Sequence, residues 1–111
     1  MDELKTEFRA LALVRRANGA GAFATVARRG DPDAGALMVK VALPDRTARL
    51  YAPSRNMEGE RIYVDMAGAG VGTAEAEIDA YLERRVRTDP DLWIVEIEDR
   101  EGRHFLVENM E

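Results

Sequence analysis

From Leu4 to about Asn18 the stretch LKTEFRALALVRRAN contains neither Gly nor Pro and is rich in good helix formers, which predicts a helix. NGAG then stops it. Its apolar positions form two stripes. Leu4, Phe8 and Leu11 fall at i, i+4 and i+7, while Ala10, Leu13, Val14 and Ala17 lie around the other side. A surface helix needs one apolar face, so two imply deep burial or a partner. The stripe Ala10, Leu13, Val14, Ala17 is the candidate self-association face, and a homodimer is the expected assembly.

AFATVARRG (22–30) reads as a strand, DPDAG as a turn, and ALMVKVAL (36–43) as a second strand, so a hairpin is expected. Asp31 can accept from backbone amides, and Pro32 presets the φ of a turn position. In the second strand Leu37, Val39, Val41 and Leu43 alternate with Met38, Lys40 and Ala42, which predicts one strongly apolar face. LPDRT turns the chain into a strand at 48–52, PSRNMEGE is a polar loop, and RIYVDM (61–66) is a fourth strand.

The residues TAEAEIDAYLERRVR (73–87) form the clearest helix: Ile78, Leu82 and Val86 make one stripe, and acids at the start and arginines at the end both suit the helix dipole. Thr73 is its expected N-cap. TDPD ends it, because Pro90 cannot continue a helix and restricts Asp89. The last stretch, LWIVEIEDREGRHFLVE, reads as a hairpin around a DREG turn with Gly102 in the left-handed position, pairing Asp99 with Arg103. That register sets Val95 opposite Val107 and Ile97 opposite Phe105. On the other face it sets Glu98 opposite His104, an ion pair that would raise the histidine's pKa.

Between the fourth strand and the second helix lies GAGVG, with Gly68, Gly70 and Gly72 in the place of a phosphate-binding turn. The third glycine of such a fingerprint would fall at Thr73. Glu75, Glu77 and Asp79 crowd the helix end that would have to receive the anion, and they repel it. The expected role is a mobile connection, and no cofactor is assigned.

Composition narrows the chemistry further. The chain has 111 residues, 46% hydrophobic and 33% charged, with a formal net charge of −5. An ordered globular domain fits those fractions. The negative balance argues against nucleic acid, and no apolar run approaches the ~20 residues of a membrane helix. MDELKTEFRA has acids where a leader would be basic, so a cytoplasmic protein is expected. There is no Cys and one His, His104, which removes thiolate chemistry, disulfides and the usual structural zinc sites. Ser54 is the only serine, and APSRN around it has no glycines to shape a nucleophile elbow.

The two DPD segments, at 31–33 and 89–91, suggest carboxylate metal ligands, but turn chemistry explains each, and no metal is assigned. PDLWIVEIE has the order of the Pro-Asp, Glu-x-Lys pattern of metal-dependent nucleases, with Glu98 where the lysine belongs. RGD at 29–31 is explained by the turn that follows. Arg28, Arg29 and Lys40, around DPDAG, are the candidate anion contacts, because arginine forks suit carboxylates and phosphates.

The blocks LVRRANGAGAFA, RRGDPDAGALMVKV and DPDLWIVEIEDREGRHF resemble an uncharacterised family of small bacterial proteins, domain of unknown function 1491. The resemblance implies a small bacterial cytoplasmic domain and brings no established activity or catalytic residues. The expected fold is α+β: one antiparallel sheet of five or six strands with two helices packed on it. The expected function is a non-catalytic interaction or regulatory domain, with a small-molecule anion-binding protein, or a small enzyme acting on an anionic metabolite through an arginine-lined site, as the alternative.

Overall fold

A computed structural model describes residues 4–111. Met1, Asp2 and Glu3, which entered the reading of the N-terminus, lie outside the described residues. The elements are α1 (Thr6–Gly19), β1 (Phe23–Arg28), β2 (Leu37–Ala42), β3 (Ala48–Arg55), β4 (Arg61–Asp65), a short 3-10 turn (Met66–Ala69), α2 (Glu75–Thr88), β5 (Trp93–Glu98) and β6 (Asn109–Met110). They build an α+β fold around one six-stranded sheet of order β1-β5-β2-β3-β4-β6.

The sheet is mixed, and this corrects the expected antiparallel one. β5 lies between β1 and β2, antiparallel to the first and parallel to the second. The DPDAG segment therefore does not close a β1–β2 hairpin; it straddles a strand. Two inter-strand steps separate β1 from β2, roughly 10 Å, which residues 29–36 bridge by wrapping around the start of β5. The Asp31 amide donates to the Asp91 carbonyl at 3.0 Å, and Trp93 donates from its amide to Ala36 O (2.8 Å) and from its indole to Asp31 O (2.6 Å). Gly30 and Gly35 make this approach possible, since a Cβ on either would sit 2.0 or 2.1 Å from Asp91 O. The loop also caps α1: Pro32 O accepts from the Glu7 amide at 3.0 Å, and the Thr6 hydroxyl donates to Gly35 O at 2.7 Å.

A helix covers each face. On one side Ala10, Leu13 and Ala17 of α1 pack on Val39, Val41, Trp93, Val95 and Ile97, joined by Phe105 and Leu106 from the C-terminal segment. On the other, Ile78 and Leu82 of α2 pack on Met38, Leu50 and Ile94. All six residues of β2 are buried, so the strand's alternation separates two covered faces, not a dry one from a wet one. The stripe assigned to self-association is corrected here. Ala10, Leu13 and Ala17 are within 1% of full burial, with Val14 partly buried beside them, against the chain's own sheet. Small Ala10 and Ala17 let the helix axis approach the sheet closely. Leu4, Phe8 and Leu11 are the stripe left outside.

The C-terminal hairpin is also corrected. The turn forms as read: Gly102 has φ +70°, and Asp99 accepts from the Arg103 amide at 2.8 Å. But both edges of β5 are already paired, with Val95 between Val26 and Val39 and Ile97 between Ala24 and Val41. No edge remains for residues 103–108, and the chain leaves the sheet through Phe105 at φ +59° before β6 pairs in parallel with β4. At α2 the N-cap position is Ala74 with no side-chain cap, so Thr73 does not serve there; its carbonyl accepts from Ala48 N instead.

Gly30→Ala should therefore cost more than about 2 kcal/mol by forcing strand and loop apart, while Gly68→Ala, which would meet nothing within 4 Å, should stay near wild type. Thermal melts of the two variants check this, and equal melting points would exclude the close approach as a constraint on folding.

Candidate functional site

An apolar groove of about 420 Å³ runs between α1 and the C-terminal segment. Leu13, Leu37 and Leu106 line it, with Leu4 and Val107 at its open sides and Arg9, Arg16, Arg61 and Glu108 around it. Each wall has a local cause. The Asp99 carboxylate accepts from Arg103 Nη2 at 2.8 Å and Nε at 3.1 Å, which bends the chain back toward α1. Arg16 then holds the returning segment by donating twice to Phe105 O, at 3.1 and 3.0 Å. Arg9 pairs with Glu108 at 3.2 Å and donates to the Tyr63 hydroxyl, which itself donates to Leu37 O at 2.8 Å. Burial pushes the Tyr63 phenol up to about 12, so it stays a neutral donor. Among the described residues, three arginines and one glutamate line the groove, in a chain whose net charge is −5.

The expected anion contacts are not brought together. Lys40 is 3% exposed on the α2 face, with Glu75 and Asp79 of α2 each at 2.7 Å and Glu96 of β5 at 3.6 Å. Burial alone would lower its pKa, but the hydrogen bonds to Asp79 and Glu75 and the charge of Glu96 outweigh that and raise it. The ammonium's place as an anion receptor is taken by the chain's own acids. Arg29 turns to the α1 side, pairing with Glu7 and lying 5.0 Å from the Trp93 ring centroid. Arg28 donates to Pro90 O at 3.0 Å, tying the end of β1 to the loop before β5.

The other motifs resolve into structure. The glycine segment is a hydrogen-bonded 3-10 turn capped by Asp65, whose side chain accepts from Ala67 N at 2.9 Å. A Cβ on Gly72 would lie 3.0 Å from the Glu77 carboxylate, so an acid borders this turn as the sequence suggested. Asp31 accepts from the amides of Asp33 and Ala34, and Asp89 from that of Asp91, so both DPD segments are side-chain-closed turns. Among the described residues no three His, Cys, Asp or Glu side chains are placed to hold a metal ion. His104 corrects its expectation: it does not face Glu98, its Nδ1 accepts from Leu106 N at 2.9 Å, its ring meets Tyr51 edge-on, and burial lowers its pKa. No described helix is long and apolar enough to cross a membrane.

The sequence supplied Leu4 as part of an apolar stripe but missed the groove. Its far wall, Leu106 and Val107, had been placed in a strand. Phe8 and Leu11, on the outer face of α1, are 58% and 41% exposed.

A mixed six-stranded sheet with a helix on each face, and an apolar groove where one helix meets the chain's return, defines a small α+β domain. The chain belongs to the family described as protein of unknown function (DUF1491), whose family model matches residues 4–107. It is similar to a DUF1491 family protein from Caulobacter crescentus CB15. The crystal structure of that protein is 50% identical, covers 98% of this chain and 100% of its own, and superimposes with a TM-score of 0.90. An NMR structure of a DUF1491 family protein from the same organism is also 50% identical, over 100% of this chain and 99% of its own, with a TM-score of 0.86. A solution structure of a protein from A. tumefaciens is 36% identical, over 99% and 98% of the two chains, with a TM-score of 0.79. Among curated proteins nothing matches.

Lys40→Met should lower stability by about 1–2 kcal/mol in urea, less than the ~3–5 of a fully buried pair, because Glu75, Asp79 and Glu96 are each at least one-third exposed and regain water. An unchanged or higher stability would remove Lys40 as the tie between sheet and α2.

The Arg103 guanidinium and two backbone amides hold the Asp99 carboxyl down to about 2. An unfolded chain takes up that proton first, near the ordinary value of about 3.9. The stabilisation is therefore complete above about pH 5 and lost as pH falls toward 2. Asp99→Asn should be less stable than wild type at pH 7, with the gap closing in acid. Urea midpoints that keep a constant gap from pH 7 to 2.5 would contradict this.

Proposed function

We propose that this chain is a non-catalytic protein-interaction domain of a bacterial cytoplasm, and that it self-associates through the outer face of α1 and the groove beside it. The observation that carries this reading is the set of large apolar side chains left exposed on α1 and at the groove. Leu4 and Val107 are 68% and 73% exposed at the groove, and Phe8 and Leu11 are 58% and 41% exposed on the outer face of α1. Phe8 and Leu11, three residues apart, share one face of α1, a spacing that suits the packing of a second helix.

The non-catalytic part rests on where the reactive groups go. Lys40 is bound by three acids, His104 by a backbone amide and Asp99 by an arginine fork. Each is spent on holding the fold. The relatives in Caulobacter crescentus and A. tumefaciens support the bacterial setting.

Sedimentation equilibrium at micromolar concentration should show a dimer. Phe8→Glu should shift it to monomer with the melting temperature nearly unchanged, since substitutions at such exposed sites stay within about 0.5 kcal/mol. A wild-type chain that is monomeric throughout would refute self-association.

A further inference from the structure

The tip between β3 and β4, residues 56–60, presents an apolar side chain on a rigid mount. Asn56 Oδ1 accepts from the amides of Glu58 (3.0 Å) and Glu60 (2.9 Å), its Nδ2 donates to the Glu60 carboxylate at 3.0 Å, and Arg55 donates to Gly59 O at 2.9 Å. Gly59, at φ +80°, completes the reversal. From this stapled tip Met57 projects 99% exposed, flanked by the exposed Glu58. A single exposed methionine is ordinary. What distinguishes this one is the receptor beside it.

Arg61, the first residue of β4 and the next after the tip, lines the apolar groove. The tip and the groove's border are therefore joined at Arg61. We propose that the groove is filled by Met57 of a second copy, exchanged reciprocally across a two-fold axis, with Glu58 of each tip meeting the arginine-rich border of the other's groove. The inference rests on the self-association proposed above and names what enters the groove.

Three features support this occupant. Methionine is unbranched and polarizable and fills irregular apolar space well. Charge is complementary: an acidic tip meets a border that holds, among the described residues, three arginines and one glutamate, in a chain that is net negative. Topology favours closure, because a donor and a receptor side by side can face their copies about one axis and end as a dimer, not a filament. The mount also removes part of the ordering cost, since the tip's backbone is already held by Asn56.

Sedimentation equilibrium on the wild type, Met57→Glu, Met57→Leu and Val107→Glu tests the proposal. Met57→Glu and Val107→Glu should each weaken dimerisation at least about tenfold, Met57→Leu should leave it within a few-fold, and all four melting points should agree at concentrations low enough to keep every protein monomeric, because Met57 and Val107 are exposed. Mixing Met57→Glu with Val107→Glu should restore part of the dimer, because the mixed pair keeps one intact knob facing one intact groove. If Met57→Glu dimerises like the wild type while Phe8→Glu does not, the occupant is wrong and self-association stands. A wild type that never dimerises overturns both.

Discussion

Everything else in this fold depends on the seating of β5 between β1 and β2. The strand arrives last of the long ones, after α2 has carried the chain back across the sheet, and enters a gap held open by the connection at residues 29–36. That connection accepts it through Asp31 N on Asp91 O, Trp93 N on Ala36 O, the Trp93 indole on Asp31 O, and two glycines where any side chain would collide. Once β5 is in place, Trp93, Val95 and Ile97 complete the layer under α1, and Ile94 completes the layer under α2. Both edges of the strand are spent, so the chain after Asp99 has no sheet to join and must fold over α1. The groove is the result.

The elements were readable from periodicity, and their neighbours were not. The residues predicted for α1, β2 and β5 match the observed bounds within two positions or so, because the apolar period is a property of each segment alone. Pairing is a property of the whole chain. The C-terminal register shows the difference: every apolar partner agreed between 93–98 and 103–108, yet those agreements were equally available to β1 and β2, which supply Val26, Ala24, Val39 and Val41 to the same residues. Local consistency could not separate them. What was missing was the loop's reach around β5, and its trace in the sequence was the pair Gly30 and Gly35 on either side of a turn that needed only one.

The same logic explains the exchange of stripes on α1. Two apolar faces on one helix meant that one was internal, and small residues marked it. Ala10 and Ala17 bring the helix close to the sheet, where Leu13 reaches the core, whereas Leu4, Phe8 and Leu11 are too large for that approach and remain outside. Lys40 carried an opposite signal. A lysine at an alternating strand position reads as the wet face, and it is buried because α2 delivers Glu75 and Asp79 to it at 2.7 Å. The acids that argued against a phosphate at the start of α2 were serving a cation, one that the same sequence had nominated for anion binding.

Charge is thus divided by face. On the α2 side the acids close around Lys40, while on the α1 side three arginines border the groove and hold the returning chain, two of them bonded to that segment directly. A positive border in a negative protein persists at the salt of a cell only over short distances, about 8 Å. It therefore acts on a group already close by, steering an approaching acid in the last step of contact. In the proposed dimer, selection falls to the apolar floor, where Leu13, Leu37 and Leu106 suit an apolar side chain but offer nothing to a charged one. A surface built this way discriminates by the combination of a flexible apolar group and an adjacent carboxylate, and the tip at Met57 and Glu58 carries both within two residues.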